Sequence, residues 1–170
     1  MRLHYSYEPT LLGTAGAVLA IAEQLPGWLD ETFLLVYGDM LLQIELDNLM
    51  QLHQRRHAVL TLALKETTVT HTQGMVEVDK DGRILQFVEK PSSWNKGNLA
   101  NAGLYLCEPS ILNYIRPGIS DFGYDVIPTL IKSNEPVYGQ RVAGTLLDIG
   151  TPAAYAQAHQ VVRQYASHQE

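Results

Sequence analysis

Cysteine is almost absent: Cys107 is the only one in 170 residues. No internal disulfide can form, and a Cys-rich metal site is excluded. No apolar run approaches the ~20 residues of a membrane span. The opening residues Met1-Arg2-Leu3-His4-Tyr5 contain no signal-peptide hydrophobic region. Lys and Arg number 12 against 18 Asp and Glu, a net charge of -6, with no basic block. Binding to a nucleic-acid backbone needs a concentrated basic face, so that class is set aside. Repeats, linkers and low-complexity segments are absent too. These absences give the expectation of a cytoplasmic protein that binds neither membrane nor nucleic acid.

What is present is globular. Hydrophobic residues make up 46% and charged residues 18%, which fits one domain over residues 1–170 with a sizeable core. The most informative stretch is Phe33-Leu34-Leu35-Val36-Tyr37-Gly38-Asp39. A short, wholly apolar run reads as a parallel strand buried on both faces. Ligands of open α/β sheets sit beyond the carboxyl ends of such strands. Asp39 stands at that end, with Gly38 giving close backbone access, and a carboxylate there suits a divalent cation that carries phosphates. The same Asp also reads as an ordinary turn residue after a core strand.

Taken in order, Leu3–Tyr7 alternates and reads as a short strand, and Glu8-Pro9-Thr10 as a turn. Thr14 is a candidate N-cap for a helix running through Ala17 to Gln24, which Pro26-Gly27 ends. Leu46 to Arg56 has helical spacing. Ala58–Leu64 is a second buried strand, and Lys65 to Thr72 a polar loop. Two alternating runs, Gly74–Asp79 and Arg83–Glu89, flank Lys80-Asp81-Gly82 and form a β-hairpin. Ser92 to Asn98 is a loop, Leu99–Cys107 a strand, and Pro109–Ile115 a helix. A helix interrupted by Pro128 spans Asp125–Ser133. Strands follow at Val137–Val142 and Thr145–Gly150, and a last helix starts at Thr151-Pro152, with Thr151 as N-cap, and runs to about Tyr165.

Strands alternating with helices, plus one hairpin, predict a mostly parallel α/β sheet with an antiparallel insertion. Gly-flanked Asp39 and Asp148 fall at two strand ends far apart in sequence. Glu89 and Lys90 leave the hairpin, and Asn101 opens a strand. Together these supply two metal carboxylates, one ammonium for a phosphate, and polar groups for a hydroxyl-rich ligand. His53, His57 and His71 lack metal-ligand spacing and read as surface residues. Trp94 reads equally as a stacking platform or a loop anchor, and Asp125 as a helix-dipole partner.

Several segments carry a resemblance. They are Leu12-Gly13-Thr14-Ala15-Gly16-Ala17, Tyr37-Gly38-Asp39, Gly74-Met75-Val76-Glu77, Phe87-Val88-Glu89-Lys90-Pro91, Asn101-Ala102-Gly103-Leu104-Tyr105, Asp121-Phe122-Gly123-Tyr124-Asp125-Val126-Ile127-Pro128 and Leu147-Asp148-Ile149-Gly150-Thr151-Pro152. In this order the chain resembles the sugar-1-phosphate nucleotidylyltransferases, especially the mannose-1-phosphate guanylyltransferase-like branch. The resemblance implies a Rossmann-like sheet with helices on both faces. It implies that Asp39 and Asp148 hold Mg²⁺ and that Gly13 and Thr14 line the pocket near base and sugar. Gly74 and Asn101 would contact the sugar, Glu89 its hydroxyls, and Lys90 its phosphate. In the family the sugar-phosphate oxygen attacks the α-phosphorus of a nucleoside triphosphate and pyrophosphate leaves, a reaction resting on positioning and charge neutralisation. No residue is singled out as a covalent catalyst.

The family also opens with a strand and a Gly-Gly-x-Gly-Thr-Arg loop that cradles the triphosphate. No such segment occurs in these 170 residues, and Gly13 to Gly16 has no following Arg or Lys to replace it. The expectation is therefore an N-terminally truncated nucleotide-diphospho-sugar transferase fold. It would keep the sugar-1-phosphate and metal half, with the nucleoside triphosphate half supplied by a complementing chain or missing. Whether it is an enzyme stays open. The alternative is a non-catalytic sugar-phosphate-binding or assembly module. Without the family's first strand, the Phe33–Tyr37 strand has an uncovered edge, which predicts a homodimer or higher oligomer.

Overall fold

A computed structural model describes residues 2–166. Eight strands and four α-helices follow one another: α1 (Gly13–Gln24), β1 (Phe33–Val36), β2 (Met40–Ile44), α2 (Asp47–Arg56), β3 (Leu60–Glu66), β4 (Gly74–Val78), β5 (Ile84–Glu89), β6 (Leu99–Cys107), α3 (Ile127–Lys132), β7 (Val137–Arg141), β8 (Gly144–Asp148) and α4 (Pro152–Ala166). A 3₁₀ turn at Pro109–Tyr114 and a π turn at Phe122–Val126 complete them.

The main sheet runs β5-β4-β6-β3-β7, with β1 also paired to β6. β3 lies parallel to β7. β6 is antiparallel to β1, β3 and β4, and β5 is antiparallel to β4. Hence β1, β3, β4 and β7 point one way while β5 and β6 point the other. The expected α/β sheet is present with most strands co-directional. The reversed β6 in its middle makes most neighbouring pairs antiparallel.

The core explains the layering. Leu60, Thr61, Leu62, Ala63 and Leu64 of β3 are all buried. Leu60, Leu62 and Leu64 pack with Ala15 and Val18 of α1 and with Ile127 and Leu130 of α3. Ala63 turns the other way and joins Leu49 of α2 with Ala102, Leu104 and Leu106 of β6. Burial on both faces is what a strand between helical layers requires. β1 does not share it: its residues alternate, with Leu34 and Val36 exposed. The Phe33–Val36 strand is thus an edge strand with one wet face, not a parallel strand covered on both sides.

Other expectations fail for local reasons. Leu3–Tyr7 is not a strand. Among the described residues no sheet neighbour meets it, and Gln24 of α1 holds it instead, accepting from Tyr7 N and donating to Tyr7 O, each at 3.1 Å. Residues Thr145–Asp148 form a strand outside the main sheet: β8 pairs with β2 in a separate ribbon, Met40 opposite Asp148. Lys65 belongs to β3 and not to the loop after it. His57 and His71 are exposed, but His53 is buried. Its Nδ1 lies 2.8 Å from Thr61 Oγ1 and its Nε2 3.0 Å from Glu108 Oε1, because α2 turns that face inward with Leu49. The Thr32 hydroxyl, donating at 2.6 Å, and His53 hold the Glu108 carboxyl below its ordinary range. The hairpin forms as expected, with Asp79 Oδ1 accepting from Asp81 N and Arg83 N across the turn. Thr151 caps α4 by accepting from Ala154 N at 3.2 Å.

One irregularity positions the functional end. Leu62 stands opposite Tyr105 and Leu64 opposite Asn101, so β6 uses four residues where β3 uses two. Gly103, inside this bulge, has φ +72°, a region costly for side chains. β1 pairs with β6 only from Leu104 onward, and β4 pairs with it at Ala100. Between them β6 has no strand partner on this edge, and Tyr37 N donates to Gly103 O at 3.0 Å. A Cβ on Gly103 would also lie 3.0 Å from Tyr37 Cδ2. Gly103→Ala should therefore cost about 1–3 kcal/mol, seen as a lower denaturation midpoint in urea. An unchanged midpoint would mean that the bulge relaxes without strain.

Candidate functional site

The opening beside β6 is a cleft of about 270 Å³. Asp39, Asp148, Thr14, Gly74, Glu89, Lys90 and Asn101 all line it. Gly13 alone among the expected site residues does not. It opens α1 with φ +76°, and a side chain there would run into Ser120 O. Its place is backbone packing: Ser120 O accepts from Ala15 N at 3.0 Å and Gly16 N at 3.1 Å. A larger hollow of about 570 Å³ near Arg141 holds Glu45 as its sole carboxylate and gathers no comparable set.

Asp39 follows β1 and Asp148 ends β8, yet both reach one point. The β2/β8 ribbon sets Met40 against Asp148, and Ile149 N donates to Asp39 O at 2.8 Å. A Cβ on Gly150 would lie 3.0 Å from Asp148 Oδ1 and 3.1 Å from Asp39 Oδ2. The two carboxylate oxygens are closer to each other than the sum of those distances. Gly150 N donates to Asp148 Oδ1 at 2.8 Å and helps to aim that carboxylate. Both side chains belong to exposed residues. Two exposed hard-oxygen donors with room for water and phosphate oxygens fit Mg²⁺, which keeps several of its waters. Among the described residues no group of three or more His, Cys, Asp or Glu forms a closed metal cage.

Glu89 is wedged between glycines. A Cβ on Gly74 would fall 2.6 Å from Glu89 Oε2, and one on Gly123 would fall 2.5 Å away. Either side chain would evict the carboxylate. Burial pushes the Glu89 carboxyl up from its ordinary 4.5; neighbouring Lys90 pulls it down and Asp121 adds to the rise. Lys90, at the exposed hairpin exit, has φ +46°, and its N–H donates to Gln73 O at 3.1 Å. The backbone there is pinned while the ammonium stays free to reach a ligand.

Thr14 sits in the first turn of α1 and caps nothing there. Its hydroxyl donates to Asp121 Oδ2 at 2.7 Å and accepts from Phe122 N at 2.9 Å. Asp121, and not Asp125, is the acid that caps the following turn: Oδ1 accepts from Gly123 N at 2.7 Å and Tyr124 N at 3.1 Å. Asp125 points back, its Oδ2 accepting from Asp121 N at 2.9 Å. On the other wall, Asn101 Nδ2 donates to Tyr105 Oη at 2.6 Å, and Tyr105 Oη donates to Tyr37 Oη at 3.1 Å. Trp94 is a loop anchor, donating to Gly97 O at 3.0 Å, and is absent from the cleft wall.

A match to the nucleotidyl transferase family covers residues 1–165. The chain belongs to the nucleotidyl transferase family. It is 32% identical over 171 residues to a UTP–glucose-1-phosphate uridylyltransferase from Synechocystis sp., covering 93% of this chain and 44% of that protein. It is 30% identical over 152 residues to the mannose-1-phosphate guanylyltransferase catalytic subunit beta of Drosophila pseudoobscura pseudoobscura, covering 89% of this chain and 40% of that protein. The chain spans less than half the length of either relative. Both are named for acting on sugar 1-phosphates.

The cleft has members that sequence reasoning missed. Lys65, Gln73, Tyr37, Asp121 and Gly123 line it as well. Asp121 was legible as an acid just ahead of Phe122-Gly123, an N-cap position. Lys65 and Gln73 carried no local signal. With them the wall holds four carboxylates (Asp39, Glu89, Asp121, Asp148) and two ammonium groups (Lys65, Lys90). The excess of carboxylate favours a cation before it favours an anion. No helix among the described residues is long and apolar enough to cross a membrane.

The raised Glu89 carboxyl has a stability consequence. A group that binds its proton more tightly when folded weakens the fold as pH climbs through and above its ordinary pKa. Glu89→Gln removes that penalty. The thermal midpoint of the variant should rise relative to wild type as pH goes from 4 to 7, with little difference at the acid end. A gap that shrinks with pH would mean that Glu89 is favourably charged in the folded protein.

Proposed function

We propose that this chain binds a sugar 1-phosphate in the β6 cleft and presents its phosphate beside a divalent cation for nucleotidyl transfer. The observation that carries the reading is the arrival of Asp39 and Asp148 at one point in the same cleft as Lys90, Glu89 and Asn101. In this reading Asp39 and Asp148 hold Mg²⁺, whose chemistry is to neutralise phosphate charge. Lys90 pairs with the sugar phosphate. Glu89, partly desolvated, accepts from sugar hydroxyls, and Asn101 and the bare backbone at Gly74 meet the ring. Thr14 closes the wall by tying α1 to Asp121. The hexose 1-phosphates named in the two relatives are the first ligands to test.

Lys90→Ala should weaken binding of glucose 1-phosphate or mannose 1-phosphate, measured by calorimetry with Mg²⁺, by the ~1.5–3 kcal/mol of a charge-assisted contact. Asp39→Asn with Asp148→Asn should abolish the Mg²⁺ dependence of that affinity. Unchanged binding in the first variant takes Lys90 out of the site, and unchanged Mg²⁺ dependence in the second takes the aspartates out.

Residues 1–170 include no Gly-Gly-x-Gly-Thr-Arg segment to cradle a triphosphate. Loss of one preorganised oxyanion donor costs ~10²–10³ in rate. These residues by themselves are therefore expected to release no measurable pyrophosphate from GTP or UTP with the matching sugar 1-phosphate. Addition of a second chain carrying the Gly-rich segment should restore turnover. Robust turnover by the purified 170 residues would overturn this half of the proposal.

A second reading concerns assembly. Among the described residues β1 is paired on one edge only, with β6. Beside it, Val18, Ile21, Leu25, Trp28, Phe33 and Leu34 line an apolar cleft of about 360 Å³. Leu34 is 43% exposed and Val36 37%. No charge or proline between Phe33 and Val36 guards the edge. We propose that two chains cover this edge in a homodimer, the commonest closed assembly. Light scattering at micromolar concentration should give twice the 19.0 kDa chain mass; a stable, folded monomer would refute it.

A further inference from the structure

We infer that Tyr105 is a positioning residue: its buried hydroxyl fixes the Asn101 amide so that one N–H faces the cleft. The inference rests on the assignment of Asn101 to ligand binding made above, and it concerns a side chain that itself touches no ligand. Tyr105 is 0% exposed. Its ring stacks on Phe122, centroids 5.4 Å apart, and meets the Tyr37 ring edge-on at 5.7 Å. Only the hydroxyl is polar, and it is committed on both sides. It accepts from Asn101 Nδ2 at 2.6 Å and donates to Tyr37 Oη at 3.1 Å.

Asn101 has three outward groups to account for: two N–H donors and one carbonyl oxygen. One N–H goes to Tyr105. The carbonyl oxygen accepts from Gly103 N at 3.1 Å. The two contacts act on one torsion, the backbone contact holding the oxygen end of the amide and the tyrosine contact the nitrogen end. A half-buried amide on the cleft wall is left with one N–H and one lone pair for a ligand. Without the Tyr105 hydroxyl, the amide would keep only the Gly103 contact of its two anchors, and the buried side of the NH₂ would lose this acceptor.

Backbone irregularity makes the contact feasible. Residues four apart on a regular strand are separated by ~13 Å, too far for this bond. The bulge in β6 shortens that span, since four residues of β6 face two of β3. The phenol reaches back along its own strand across Gly103. Burial pushes the Tyr105 phenol well above its ordinary value, and Tyr37 beside it acts in the same direction. Tyr105 therefore stays a neutral hydroxyl, able to accept and donate at once. Tyr37, which also lines the cleft, ends the chain and keeps the Tyr105 proton directed away from Asn101.

The test uses Tyr105→Phe, which keeps the ring and its stacking on Phe122. Two readouts are needed. The first needs no ligand: the Asn101 side-chain amide pair in ¹⁵N-resolved NMR, identified by its loss in Asn101→Ala. In wild type these protons should exchange slowly with solvent; in Tyr105→Phe the exchange should speed up about tenfold or more. The second is calorimetry with glucose 1-phosphate and mannose 1-phosphate. Tyr105→Phe and Asn101→Ala should each weaken binding about tenfold, and the double variant should be no weaker than Asn101→Ala alone, because both remove one interaction. Unchanged exchange in Tyr105→Phe, or losses that multiply in the double variant, would overturn the inference. If wild type binds neither sugar phosphate, the proposed function fails, while the exchange measurement still decides whether Tyr105 holds Asn101.

Discussion

The irregular step in β6 at Asn101–Tyr105 is the constraint on which the rest of the site depends. Were β6 regular, β1 and β4 would share one continuous edge and no cleft would open between them. Instead the strand gives up ladder positions, Gly103 takes a left-handed conformation, and Tyr37 N caps the gap by donating to Gly103 O at 3.0 Å. The cost is met locally. Asn101 Oδ1 accepts from Gly103 N, and Tyr105 fills the space beneath with an aromatic stack. The break is thus a supported irregularity beside a site, a common place for bulges.

From that gap the site is assembled by three other parts of the fold. The hairpin delivers Gly74 from one strand and Glu89 from its partner, paired directly opposite each other. The α1 start and the turn at Asp121 are welded by Thr14 and by Ser120 O. The β2/β8 ribbon brings Asp148 back to Asp39 across more than a hundred residues of chain. Each delivery relies on backbone hydrogen bonds, so the carboxylates and the Lys90 backbone are placed before any ligand arrives. Such preorganisation is how positioning chemistry is achieved without a covalent nucleophile. In the function proposed for the cleft, the carboxylate-rich wall would give binding an electrostatic order, a cation at Asp39 and Asp148 favouring the anionic sugar phosphate that follows.

Much of this was legible along the chain. The hairpin announced itself by alternation around Lys80-Asp81-Gly82, and α4 by Thr151-Pro152, because turns and caps are local. β3 was legible as a two-face strand because a strand between helical layers is apolar throughout. The same logic misread Phe33–Val36. An apolar run signals burial only when both faces are covered, and coverage belongs to the neighbours. Leu3–Tyr7 alternated without a partner, and alternation alone makes no ladder. His53 looked like a surface residue because its partners, Thr61 and Glu108, come from other elements.

The sequence by itself determined the family, most elements, and the residues Asp39, Glu89, Lys90, Asn101 and Asp148 as a chemically coherent set, since motifs record side-chain chemistry in order. Tertiary structure alone decided that Asp39 and Asp148 meet at Gly150, that Gly13 serves backbone packing while Thr14 reaches the cleft, and that Lys65, Asp121 and Tyr37 join them. It also brought the Tyr105 hydroxyl within 2.6 Å of Asn101 Nδ2. The physical reason is range: propensity and turn chemistry act over a few residues. Ribbon pairing, a bulge's shortening of a strand and the fit of a carboxylate between two glycines depend on chain segments that only folding brings together.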